Sequence, residues 1–408
     1  MRKRSNLLLA FLLPVMAMAQ SNVPESSLNG GKGLTFIAAD NSASLKFSLR
    51  IQPLLVVNAR DFEVLTDPNL DEINMSIRRA RLKFDGHLYD PKLTYKFELA
   101  FGMRNIGGVS EHTGLGARII LDAVVKYQFA KGTSIWFGQT KLPGNRERVV
   151  SSQKLQTVDR SIANGRFNID RDMGFQLHGK YMIGEMPINA ALAISVGEGR
   201  NILDNNIGGL EYTGRIEWLP FGKFKSKGDY FLADLAREET HKLSIGITGD
   251  LNDKAIRQRG NQGSWLVGED SLGNVISYNQ TLKSIFIDAI WKYNGWSALG
   301  EFFYKTADNP VWYDENNNRI NSYYTGTGFS GQAGYVFKSN WELAGRYSMV
   351  QPDKDVDVSL GNQTQYTAVV SRYILGHALK VQSDLTYSIY ELEPGGEWMF
   401  RFQIEVAL

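Results

Sequence analysis

Two groups of basic residues carry the strongest chemical signal in this chain. The first is Arg78-Arg79-Ala80-Arg81-Leu82-Lys83. Side chains on an extended strand alternate between faces. Arg79, Arg81 and Lys83 therefore share one face, and Ala80, Leu82 and Phe84 the other. Arg78 breaks the alternation and marks a bulge or the mouth of the strand. The second group is Lys141, Arg146, Arg148, Lys154, Arg160, Arg166 and Arg171, spread along one long segment. Glu147, Asp159, Asp170 and Asp172 are interleaved with it. A guanidinium fork matches the oxygens of phosphate or carboxylate, so these residues suit the binding of small anions. The plainer alternative is local neutralisation, by acids such as Glu98 and Asp122 on the following strands.

Other chemistries find less support. The chain has no Cys, so it holds no disulfide, thiolate metal site or cysteine nucleophile. His87, His112, His178, His241 and His377 are scattered, and none stands at metal-ligand spacing from another His or acid. No Ser-His pair with an orienting group is singled out, so neither an enzyme nor a cofactor is expected. The segment Asp308–Asn318 holds Asp308, Asp314, Glu315 and several Asn. These are oxygen ligands of the kind Ca²⁺ takes, but their spacing is not that of a calcium loop, and a solvated loop is expected there.

The elements that must position the basic residues are strands. The chain ends in Trp398, Phe400, Phe402, Ile404, Val406 and Leu408 on one face of a strand, with Arg401, Gln403 and Glu405 on the other. A flat aromatic edge at a terminus invites aggregation in water. A barrel closing in lipid requires it, because its outer face is apolar and every edge is paired. Similar alternating runs of about ten residues recur along the chain, and their count comes to about sixteen. Short turns at Asp90-Pro91, Lys131-Gly132, Gly184-Glu185, Asn294-Gly295 and Lys338-Ser339-Asn340 alternate with longer segments such as 142–171, 251–283 and 307–325. Asn-Gly between two alternating runs is a strong hairpin signal. The pattern predicts an all-β transmembrane antiparallel barrel with short periplasmic turns and long outer loops. The stretch Pro220–Thr240 reads either as a long turn or as a hidden strand. No repeat at a propeller period is present, and a single sandwich of this length is unusual.

Composition agrees. Eighteen Tyr, 21 Phe and 8 Trp suit two interfacial girdles. The negative mean hydropathy is compatible with a barrel, since half of each strand faces water. Arg2, Lys3 and Arg4, the apolar Leu7–Val15 and Ala17-Met18-Ala19 read as a secretory signal over 1–19. Its removal takes three of the 45 basic residues and none of the 43 acidic ones, which leaves about 42 against 43, nearly balanced, and gives no nucleic-acid signal. Residues 20–43 read as a flexible lead-in and 44–408 as the barrel. Val149, Val150, Leu155, Val158, Ile162 and Phe167 in the third long loop predict that 142–171 folds inward and narrows the lumen. Apolar Ala80, Leu82 and Phe84 on the lipid side send Arg79, Arg81 and Lys83 inward, because Arg or Lys on the lipid face costs about 2–4 kcal/mol at the midplane.

At these residues the chain resembles the porin O and P family, the phosphate-selective porins. The matching stretches are Arg78–Gly86, Lys96-Phe97-Glu98-Leu99 and Phe137–Pro143. Glu147, Ser151-Ser152, Asp159-Arg160-Ser161 and Arg171-Asp172-Met173-Gly174 continue them, and Gly31–Leu34 followed by Leu45–Gln52 is similar too. The resemblance covers the first half of the mature chain and extends into the second mainly as strand rhythm. The style of the lead-in and terminal strand suggests a Bacteroidetes-type member. The resemblance implies a sixteen-stranded outer-membrane barrel, usually trimeric, in contact with lipid and lipopolysaccharide, that passes small anions such as phosphate. In phosphate-specific members an inner arginine ladder and a lysine cluster sort the ions. The segments that match hold Arg79, Arg81, Arg146, Arg148, Arg160 and Arg171. The rival expectation is a plugged barrel serving as a structural subunit of a larger outer-membrane complex.

Overall fold

The computed structural model of the protein describes residues 33–60, 73–102, 105, 118–203, 206, 208–269 and 275–408. The expected signal segment and residues 20–32 of the lead-in lie outside the described residues. Sixteen strands form the barrel. In chain order they are β1 Ser44–Arg60, β2 Ile73–Leu88, β3 Asp90–Ala100, β4 Ile120–Ala130, β5 Thr133–Lys141, β6 Arg171–Ile183, β7 Met186–Ser195 and β8 Glu211–Trp218. They continue as β9 Lys242–Ala255, β10 Gln280–Tyr293, β11 Trp296–Thr306, β12 Gly326–Val336, β13 Trp341–Pro352, β14 Gln363–Leu375, β15 Leu379–Tyr390 and β16 Gly396–Ala407.

Each strand pairs antiparallel with its neighbours, and β16 closes on β1 from Arg50↔Ala407 to Arg60↔Glu397. The Leu408 amide donates to the Leu49 carbonyl, so pairing runs to the last residue. Closure removes the free edges that would otherwise expose backbone polar groups to lipid. The alternation drives the orientation. Phe137, Phe175, Leu192, Ile216, Ile247 and Phe400 are exposed on the outer face, while Gln139, Gln176, Arg215, Thr248, Arg401 and Gln403 are buried on the inner one. At Asn294-Gly295 both turn residues have positive φ, 45° and 94°, as a two-residue hairpin matched to strand twist requires.

Two segments depart from the expected pattern. Within the lead-in, Leu34–Ile37 forms a short strand paired with β1 from Leu34↔Phe47 to Ile37↔Ser44, around a turn where Asn41 takes φ 57°. The residues 219–241 between β8 and β9 form a long turn rather than a strand, on the end of the barrel that otherwise has short turns. Its 3₁₀ turn Lys225–Tyr230 holds Ser226 and Lys227 with left-handed backbones. Asp234 accepts from the amides of Gly295 and Glu238, and Lys292 Nζ donates to the Ala233 carbonyl, so the segment is tied to the barrel wall.

The third long loop, 142–170, enters the lumen. It carries helix α1 Arg146–Val149, a 3₁₀ turn at Ser152–Lys154 and helix α2 Ile162–Phe167. Two apolar clusters hold it against one side of the wall. Leu142, Ala163, Phe167 and Ile169 pack on Phe286, Phe303, Tyr324 and Val350. Val150 and Leu155 pack on Ile290 and Leu299 of β10 and β11 and on Leu219, Phe224 and Leu232 of the long turn. The wall residues are inward-facing apolar positions in a lumen that is otherwise polar. They are there because a loop covers them.

Candidate functional site

The basic residues of β2 meet the loop at Asp159. A register shift opposite Gln52 and Pro53 puts a bulge at Arg78, so Arg78 and Arg79 both face inward despite being neighbours. Arg78 donates to both Asp159 oxygens at 2.9 and 2.8 Å, and Arg79 Nη2 to Oδ1 at 2.6 Å. Burial alone would push the Asp159 carboxyl up, but the two guanidinium groups outweigh it and hold it well below the usual carboxylate range. Below them Arg81 pairs with Glu98 at 2.9 Å. Lys96 bridges Glu98 and Asp122 at 2.9 and 2.7 Å, and Arg171 grips Asp122 with two bonds of 3.1 Å. Local pairing through Glu98 and Asp122, the plainer of the two expectations, is therefore part of the arrangement.

Arg148 pairs with Asp170, whereas Lys141 and Arg160 are satisfied differently. Lys141 Nζ donates to the carbonyls of Arg148, Val149 and Val150 at 2.7, 3.1 and 3.1 Å. Arg160 donates to the carbonyls of Glu147 and Val150 at 2.7 and 2.8 Å. Each therefore spends donors on loop backbone rather than on a carboxylate. Between the loop and the β2–β6 wall lies a cavity of about 530 Å³, lined among the described residues by twelve basic side chains and two acidic ones, Glu98 and Asp170. A second cavity of about 770 Å³ lies toward the short-turn end. The two share Lys96, Lys141 and Val149, and so form two chambers in series.

The ten residues singled out in the sequence divide between distinct places. Arg79, Arg81, Lys141, Arg148, Arg160 and Arg171 line the first chamber. Lys83 pairs with Asp85 beside the pathway. Lys154 sits 3.6 Å above the Phe231 ring, near the short-turn end. Burial, followed by the nearby charges of Lys83 and Lys227, pushes its ammonium down to about 8. Arg166 reaches Tyr324 and Gln363 on the packed side of the lumen. Arg146 is fully buried behind the loop, bound to Asp288 at 2.8 Å, Ser244 at 2.9 Å and Glu217 at 3.3 Å, so it anchors the loop and lines neither chamber.

Several lining cations went unnoticed in the sequence. Lys96 and Lys126 were legible in principle, since each alternates with lipid-facing neighbours in β3 and β4. Arg118, Arg200, Arg257 and Arg259 come from outer segments whose return to the lumen follows no periodicity. Asp314 accepts from the amides of Asn316 and Asn318 at 2.9 and 2.7 Å, which is an Asx turn in a solvated loop.

A closed sixteen-stranded barrel with an apolar belt and a charged lumen narrowed by its third loop defines an outer-membrane channel. The chain belongs to the family of phosphate-selective porins O and P, whose pattern matches residues 57–390. Its fold is similar to the outer membrane channel DcaP of Acinetobacter baumannii, with a TM-score of 0.54 and 12% identity over 91% of this chain and 99% of that one. It is similar also to OmpF of Salmonella typhi, solved with daunomycin, at 0.52 and 10% over 91% and 100%. A loop-deleted OmpT of Vibrio cholerae matches at 0.52 and 11% over 90% and 100%. No curated protein matches the sequence. Family and fold place the protein in the bacterial outer membrane.

Proposed function

We propose that this porin lets small anions, phosphate among them, diffuse passively across the outer membrane. One observation carries the reading: among the described residues, the chamber beside the third loop presents twelve basic side chains against two acidic ones. In a narrow, low-dielectric passage such an excess raises the local anion concentration and repels cations. No step needs a cofactor. Arg forks add geometric fit to phosphate oxygens. Lys141 and Arg160 matter most in this account, because carbonyls rather than carboxylates satisfy their donors.

The test is the reversal potential of the purified protein in a planar bilayer under a KCl gradient, repeated with potassium phosphate. Anion preference that falls when Arg79, Arg81 and Arg160 are changed to Gln supports the proposal. Cation preference unaffected by those changes defeats it. A homotrimer in contact with lipid and lipopolysaccharide belongs to the same proposal, resting on family membership, and light scattering of the detergent-solubilised protein tests the trimer. The packing of the third loop and of residues 219–241 in the lumen favours one rival, a plugged barrel in a larger complex. Absence of single-channel conductance together with a stoichiometric partner would establish that rival.

A further inference from the structure

The two chambers differ in chemistry as well as position. The first is walled by guanidinium groups and has little apolar surface. The second combines cations with a ring stack. On the inner face of β5, Trp136 lies parallel to His178 of β6 with centroids 3.8 Å apart. Lys126 of β4, cross-strand neighbour of Trp136, sits 3.6 Å from the same ring centroid. These two contacts come from the strands on opposite sides of β5, so the indole is held between them and the outer face of His178 is left toward the chamber. Trp136 Nε1 is satisfied by Ser134 Oγ at 2.9 Å. Across the space stand Phe224 and Tyr230 of the long turn.

The charges around this stack are lysines. Lys126, Lys180, Lys223 and Lys227 line the chamber, and none of them pairs with a carboxylate of the described residues. Lys227 holds a left-handed backbone, φ 58° and ψ 44°, a conformation that costs a non-glycine residue energy and clusters at functional positions. Of the three acids that line the chamber, Glu217 is engaged by Arg215 and Tyr230 and Asp122 by Lys96 and Arg171, while the third, Asp229, is buried on the same turn as Lys227. A sugar phosphate would find few free acceptors for its hydroxyls. An anion with a flat apolar body would find rings for the body and ammonium groups for the charge. A space of about 770 Å³ is the size that holds a small organic ligand.

We propose that the second chamber is a binding site for aryl carboxylates, with the Lys126–Trp136–His178 stack taking the ring and Lys223 and Lys227 the carboxylate. This rests on the anion-channel reading above and adds a permeant class to it. The experiment is calorimetric titration of the full-length purified protein in detergent with 4-nitrobenzoate and with acetate, using empty micelles as the blank. The same preparation is used for the KCl reversal potential. 4-Nitrobenzoate is expected to bind roughly tenfold tighter than acetate, and Trp136→Ala to remove roughly three- to tenfold of that difference. His178→Ala repeats the test should the Trp136 variant not fold. Changing Lys223 and Lys227 to Gln, both on an exposed turn, is expected to weaken the two ligands alike. Equal binding of 4-nitrobenzoate and acetate, or a preference that survives loss of either ring, overturns the inference. Anion-selective conductance without aryl preference defeats this inference alone. Cation-selective conductance with aryl binding defeats the channel reading alone.

Discussion

Arg146 and Arg148 stand two residues apart on one turn of helix, yet they belong to different halves of the lumen. Arg146 points into the half filled by the third loop, where Asp288, Glu217 and Ser244 surround it and no part of it is exposed. Arg148 points to the open half, pairs with Asp170 and stays partly exposed. The same side chain is an anchor in one half and lines an open chamber in the other. Burial decides between them. A guanidinium removed from water needs its carboxylates to be stable there at all. One left at the edge of a wet chamber loses little if its partner leaves.

The largest expected effect separates those two roles directly. Arg146→Met leaves Asp288 and Glu217 with one cation fewer in a buried network, and loss of one partner from such a network costs about 3–5 kcal/mol. Thermal unfolding in detergent is expected to shift markedly downward, and single-channel records to become noisy as the loop loosens. Arg148→Met is expected to change stability by less than about 1 kcal/mol and to act on selectivity instead. Equal thermal shifts for the two variants would remove the distinction. Phe167→Ala comes next. Phe167 is fully buried against Phe303 and Tyr324, with ring centroids at 6.3 and 5.6 Å. Its truncation is expected to cost about 3 kcal/mol and to loosen α2 without removing any pore charge. A normal melting profile with altered ion preference would contradict that assignment.

The contrast between the halves also shows what was legible in the residues. Period-two alternation made the strands visible, because lipid on one side forces an apolar face, and the terminal strand from Trp398 onward told which face that was. The pairing of β16 with β1 follows from the same pattern. The loop was partly legible: Val150, Leu155 and Phe167 are too apolar for a solvated segment. What they pack on is written as exceptions, since Phe286, Ile290, Leu299 and Phe303 put apolar side chains where the lumen calls for polar ones. Arg146 and Arg148 were not separable by local sequence. Their difference comes from Asp288 and Glu217, both far along the chain, and no spacing rule links those positions. Residues 219–241 were ambiguous for a related reason, because their structure is set by docking into the barrel end.

Selectivity tests the open half more gently. Replacing Arg79 and Arg81 by Gln removes two of the twelve charges of the first chamber. The anion-to-cation permeability ratio is expected to fall roughly a few-fold per charge at low salt. Raising KCl from 0.1 to 1 M shortens the screening length from about 10 to about 3 Å, so the same ratio is expected to shrink in the unaltered protein and the variants to converge on it. A ratio independent of salt would mean that steric fit, not charge, sorts the ions.

The smallest effect concerns the short-turn end of the lumen. Lys154 lies close to Lys83 and Lys227, and its ammonium is pushed down to about 8, first by burial and then by those like charges. An unburied lysine keeps its proton to about 10.4. Between those values the folded protein has released a proton that the unfolded chain still holds. Raising the pH through that window therefore removes one positive charge from the short-turn end and, for this group alone, favours the folded state. Anion preference is expected to decline modestly between pH 7 and 9.5, with Lys154→Gln flattening the early part of the decline. A profile that the substitution leaves unchanged would assign the titration elsewhere and take Lys154 out of the field felt by permeating ions.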